Sequence, residues 1–179
     1  MLKTNYKYLS LLIAFAVFIP VSLLAQQKTV NTKVFGSPVY YDKTFTNGIM
    51  INQKGFSVRK AFLVFDNGTR VPLDNKVGLN QVVNLAVFID KGWTIVNGKA
   101  FPGGSEDIKL NNGYQVMKTD DLFADYSING IDAADARYIT LKSSITKLVN
   151  KKYYVVVHFR IWDKKSTNEI TGIYNYSIK

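Results

Sequence analysis

The chain has 179 residues, 23 Lys and Arg against 13 Asp and Glu for a formal charge of +10, one histidine and no cysteine. The missing cysteines exclude disulfides, thiol catalysis, zinc–thiolate sites and lipid attachment at an N-terminal cysteine, and a single histidine excludes multi-histidine metal sites. Only Arg59, Arg70, Arg137 and Arg160 are arginines and the lysines are scattered, so the charge does not form the arginine-rich stripe of a nucleic-acid reader.

The first 25 residues read as a secretory signal peptide. Lys3 and Lys7 supply a positive start, Leu9 to Leu24 an uncharged apolar run interrupted by Pro20, and Ala25 the small residue before the cut, although Leu23 departs from the small-residue rule. The run is short for a membrane span. Residues 26–179 then form one domain, and no later apolar run approaches spanning length, so the mature chain is expected not to cross a membrane. An exported chain of this kind belongs in the periplasm or outside the cell, with attraction to anionic envelope polymers open to it.

Asn-Gly dipeptides punctuate the mature chain at 47–48, 67–68, 97–98, 112–113 and 129–130. Both residues tolerate positive φ, which tight turns between right-twisted strands demand. "SVRKAFLVFDNGTRVPLD" therefore predicts a hairpin turning at Asp66–Thr69, and "WTIVNGKAFP" a second around Asn97–Gly98. Between them "VVNLAVFID" alternates, with Val83, Leu85, Val87 and Ile89 on one face.

"PGGS" at 102–105 and "GGSED" at 103–107 read as a turn, with Ser105 as a capping group rather than a nucleophile. Seven of the acids lie between Glu106 and Asp135: Glu106, Asp107, Asp120, Asp121, Asp125, Asp132 and Asp135. Paired acids suit glycoside hydrolysis and oxygen donors suit calcium, but "DDLFADYS" lacks the spacing of an EF-hand loop. Turn and cap positions account for most of these acids. In "DAADAR", Asp132 is placed to cap a short helical turn and Asp135 to sit near its positive end.

The last third is three strands. "YITLKSSI" puts Ile139, Leu141 and Ile145 on one face, and "ITGIYNYSIK" groups Ile170, Tyr174, Tyr176 and Ile178. "YYVVVHFRIW" places Tyr153, Val155, Val157, Phe159 and Ile161 on an apolar face. Its other face carries Tyr154, Val156, His158, Arg160 and Trp162. A serine triad would need His158 held by a carboxylate, and no "GxSxG" elbow accompanies it. His158 is thus expected to be a surface strand residue.

The pattern predicts an all-β chain of about eight or nine strands, a single antiparallel β-sandwich, Ig-like only in the broad sense and without a disulfide; a closed β-barrel is the alternative. No catalytic, metal or cofactor residues are assigned. Trp93 and Trp162 are the two aromatic anchors that could serve recognition, and Tyr154, His158, Arg160 and Trp162 form the candidate ligand-binding face. The expected function is an exported, non-enzymatic binding protein acting at the bacterial cell envelope on a protein or glycan partner, not on nucleic acid. An envelope assembly subunit and a carboxylate-based glycan hydrolase are the alternatives, and the oligomeric state is left open.

Overall fold

The computed structural model describes residues 41–146 and 152–179, so the export leader read at residues 1–25 lies outside the described residues. The described chain is built of strands: β1 (Lys43–Thr44), β2 (Met50–Lys54), β3 (Ser57–Phe65), β4 (Lys76–Val77), β5 (Val82–Lys91), β6 (Lys99–Ala100), β7 (Pro102–Leu110), β8 (Gln115–Lys118), β9 (Ile131–Asp132), β10 (Tyr138–Ser144), β11 (Tyr154–Asp163) and β12 (Glu169–Ile178). Eight of these have four or more residues and four are two-residue ladders.

They form a sandwich-like all-β fold rather than a closed barrel. The larger sheet runs β1-β2-β12-β11-β7-β8, with β4 added in parallel at the end of β12. The smaller sheet runs β10-β5-β3, and β6 and β9 make a separate ribbon. All other pairings are antiparallel. No helix among the described residues is long and apolar enough to cross a membrane.

Alternation decides which side chains meet between the sheets. Val155, Val157, Phe159 and Ile161 of β11 are buried, and Ile170, Tyr174, Tyr176 and Ile178 of β12 join them. Facing them are Val83, Leu85, Val87 and Ile89 of β5, with Ile139 and Leu141 of β10. On β3 the period breaks where a register shift between Val58 and Lys60 inserts an extra residue, so that Val58 and Ala61 both point inward while Arg59 and Lys60 stay exposed.

The Asn-Gly turns are present, but two have short arms. At Asn97 (φ 51°) and Gly98 (φ 76°) the chain makes a two-residue turn closed by reciprocal bonds between Val96 and Lys99, at 2.9 and 3.0 Å. That pairing is a single bridge, because Lys99 and Ala100 turn away to join Ile131 and Asp132. The turn at Asn67–Gly68 likewise carries one bridge, Val64 to Arg70, beyond which the chain leaves the sheet.

The largest departure from the sequence reading is the segment taken for a turn. "PGGSED" belongs to β7, paired to β11 from Pro102 through Leu110 and to β8 on its other side. Ser105 is a mid-strand residue opposite Arg160, not a cap. The glycines serve space rather than turning. A Cβ at Gly103 would run into the Trp162 indole, and one at Gly104 would meet the Phe123 ring at 2.6 Å. Asp132 also differs from expectation: it sits in β9 paired with Lys99, and the short 3₁₀ turn Asp135–Arg137 starts from Ala134 with no side-chain cap.

Buried polar contacts fix the connections. Asp163 accepts from the backbone N–H of Thr94 and Lys165 and from the Ser166 hydroxyl at 2.8–3.0 Å, closing the β11–β12 turn. Lys164 Nζ donates to the Phe123 carbonyl (2.7 Å) and Ser127 Oγ (2.8 Å) and pairs with Asp121 (2.8 Å), which holds the acidic connection against that turn.

Two substitutions one position apart test the register. Phe159→Ala should cost roughly 3 to 5 kcal/mol, the usual loss for a buried aromatic. His158→Ala, on the opposite face, should cost less than about 1 kcal/mol. Urea unfolding of both variants checks this, and the reverse order would show β11 slipped by one residue.

Candidate functional site

The outward face of the larger sheet is assembled by strand register. Each row of side chains crosses the sheet at one level, and successive rows lie two residues apart along the strands. The first row is Asn52 on β2, Thr171 on β12, Arg160 on β11 and Ser105 on β7. The next is Met50, Ile173, His158, Asp107 and Lys118. The row on the other side brings Glu169 and Gly103 against Trp162. Between the first two rows lies an open depression of about 330 Å³, bordered by Tyr41 from the segment before β1.

Three of the four predicted face residues meet here. Arg160 lies 4.9 Å from the centre of the Trp162 ring, and its Nε and one terminal nitrogen each sit 2.8 Å from Glu169 Oε2. The ion pair fixes the guanidinium, and stacking on indole adds to its order. Trp162 is half-buried because its ring occupies the space that a side chain at position 103 would need. Tyr154 is not brought in. It lies four residues back along β11 and borders a separate small depression with Asn75, Asn175 and Ser177. Trp93 is a packing residue: its Nε1 donates to the Ala136 carbonyl at 2.8 Å and its ring meets Phe56 edge-on.

His158 is half-buried opposite Asp107. Burial lowers its pKa, Asp107 pulls it up and Lys109 lowers it again, and the net direction is down. The imidazole is therefore neutral near pH 7 and offers one donor and one acceptor. Burial raises Asp107, but hydrogen bonds from Gln115 and Lys109 and the nearby cations outweigh it, so the carboxyl stays below its ordinary range. The depression thus presents amide, hydroxyl, imidazole, guanidinium and carboxylate groups to one solute.

Of the acids, Glu106 escapes the turn-and-cap explanation. It is the inward residue between Ser105 and Asp107, and only 1% of it is exposed. Its Oε1 accepts from the Tyr174 hydroxyl at 3.3 Å, which in turn lies 3.4 Å from Ser143 Oγ on the smaller sheet. Its Oε2 has no partner among the described residues. Burial pushes its pKa from 4.5 up to about 7 against the lowering effect of the Tyr174 bond. Tyr174 is itself raised well above the phenol range, by burial first and by Glu106 next. The remaining acids are dispersed, and no group of three acidic or histidine ligands among the described residues could hold a metal ion.

Local sequence could not reveal Asn52, Ser105, Asp107, Lys118 or Thr171 as partners of His158 and Arg160, since they come from four other strands. Glu106 did carry a signal, because reading 102–110 as a strand puts it in phase with inward-facing Ile108.

With this geometry, the class defined is a sandwich-like, all-β protein whose larger sheet bears a shallow depression of mixed polar and apolar lining beside a tryptophan. Comparison with protein-family models and with curated protein sequences returns no match.

Glu106 gives a pH prediction with a definite sign. Its folded pKa of about 7 exceeds the unfolded 4.5, so the folded state holds the proton more tightly. Stability from this group is fully present below pH 4.5, falls as pH rises towards 7 and levels off above, with roughly 3 kcal/mol lost in all. Glu106→Gln should remove that slope. Denaturant unfolding of both proteins across this window measures it, and parallel curves would show that Glu106 does not titrate in the fold.

Proposed function

We propose that this is an exported, non-enzymatic binding protein of the bacterial cell envelope whose larger sheet takes a glycan. The observation that carries the reading is the row Asn52–Thr171–Arg160–Ser105 running across four strands beside the half-buried Trp162. A polyhydroxylated ligand needs several donors and acceptors at fixed spacing and one aromatic surface for its C–H face. Asn52, Ser105, Asp107, His158, Arg160 and Thr171 line this depression and can supply such donors and acceptors. The charged, apolar and small-residue order of residues 1–25 supports export.

The hydrolase alternative has less support from the geometry. Glu106 has the raised pKa of a general acid, but it points into the core, while its neighbour Asp107 points to the outer face. Among the described residues the acids lining the depression are Glu106 and Asp107, chain neighbours on opposite faces of β7 rather than a pair facing each other across a gap. Scattered lysine and few arginines weigh against nucleic acid.

The test is titration of the exported protein with solubilised envelope polysaccharide, read by tryptophan fluorescence and calorimetry. Saturable binding is expected, with Trp162→Ala and the double variant Asn52→Ala with Thr171→Val each weakening it at least about tenfold. Failure to bind any envelope glycan fraction, or binding that ignores both variants, would remove the reading. Release of new reducing ends by the wild-type protein would overturn its non-enzymatic part.

A further inference from the structure

The smaller sheet has an outer face of different character. Phe62 on β3, Phe88 on β5 and Tyr138 on β10 form one aromatic strip, with ring centres 5.6 and 4.7 Å apart. The Arg70 guanidinium lies 3.1 Å from the centre of the Phe62 ring, and Lys60 stands opposite Phe88 in the strand register. Two nearby cations are neutralised, Arg59 by Asp90 and Lys142 by Asp66. Lys60 and Arg70 have no acidic partner among the described residues. A strip of aromatic rings with unpaired cations at its border is an interaction surface seeking acidic and apolar groups.

The same chain supplies those groups. Residues 119–136 contain five aspartates and no lysine or arginine, so the formal +10 divides into −5 over this segment and +15 over the rest. Asp121 and Asp132 are paired with Lys164 and Lys99, but Asp120, Asp125 and Asp135 have no ion pair among the described residues. Between them Leu122, Tyr126 and Ile128 are exposed, Ile128 at 86%. The Lys164 contacts and the β6–β9 ribbon hold the segment in place. Apolar side chains interleaved with unpaired acids on a fixed connection match, in charge and in chemistry, an aromatic strip bordered by unpaired cations.

We propose that the aromatic face of the smaller sheet docks the acidic 119–136 segment of a second copy of this chain. The contact pairs Asp120 and Asp125 with Lys60 and Arg70 and sets exposed apolar residues on the rings. It does not depend on the glycan reading, because none of these four charged residues lines the depression on the larger sheet.

Sedimentation of the exported protein tests it. Wild type should associate at low ionic strength and dissociate as salt screens the charges. Lys60→Glu with Arg70→Glu should raise the dissociation constant at least about tenfold, and so should Asp120→Lys with Asp125→Lys. Mixing these two reversed proteins should restore association, because the acidic segment of the first meets the unaltered face of the second. All four positions are exposed, and Lys60→Glu alone serves if the double change at the face disturbs folding. Three results would overturn the proposal: a monomer at every salt concentration up to about 1 mM protein, where even a millimolar contact would populate dimers; association that ignores both reversals; or reversed proteins that stay apart when mixed.

Discussion

The structure depends on the pairing of β11 with a neighbour on each side. Nine residue pairs join it to β12 and nine join it to β7, so its alternation is imposed on both. Its odd positions close the core and its even positions make the outer face. A shift of one residue would carry Phe159 to solvent and His158 into the interior, which is why core and candidate site are fixed by a single register. The same register sets Gly103 beneath Trp162 and Gly172 beneath Phe159, where larger residues would collide with the rings.

Between the sheets the packing is almost wholly apolar, and the exception is informative. Ser143 on the smaller sheet, Tyr174 on β12 and Glu106 on β7 form a chain of hydroxyl and carboxyl groups across the sandwich. With Glu106 protonated, Ser143 can donate to Tyr174 and Tyr174 to Glu106, and no buried charge remains. The outer face a few ångströms away works under different physics. There Asp107 stays ionised because lysine, glutamine and solvent support it, so adjacent acids on one strand are pushed in opposite directions, Glu106 up to about 7 and Asp107 down.

Much of the fold was legible because period-two alternation is written directly into β5, β10, β11 and β12. The Asn-Gly dipeptides marked turns, since Asn47, Asn97 and all five of the following glycines adopt positive φ. What sequence reasoning missed has one cause. The first six residues of β7, Pro-Gly-Gly-Ser-Glu-Asp, include no β-branched or aromatic residue, and the glycines look like punctuation until the large side chains packed over them are known. Asp132 was misplaced for a related reason: its partner is Lys99, far off in sequence. The candidate face was half legible. His158, Arg160 and Trp162 follow from one strand, whereas Asn52, Thr171, Ser105 and Asp107 are joined to them only by the order of strands in the sheet. Tyr154 has the right parity but lies too far along the strand.

The strand order also opposes the direction in which the chain is made. β12 is the strand on which β2, β4 and β11 all close, and it follows each of them in the sequence, β2 by more than a hundred residues. As the chain emerges, β2 has no neighbour on that side until residues 169–178 arrive, and β4 has none either. Fast local hairpins can form early, but the larger sheet must wait for a closure over most of the chain. The larger sheet therefore closes only after residues 169–178 are available to pair with β2 and β4, whereas the smaller sheet needs nothing beyond residue 144.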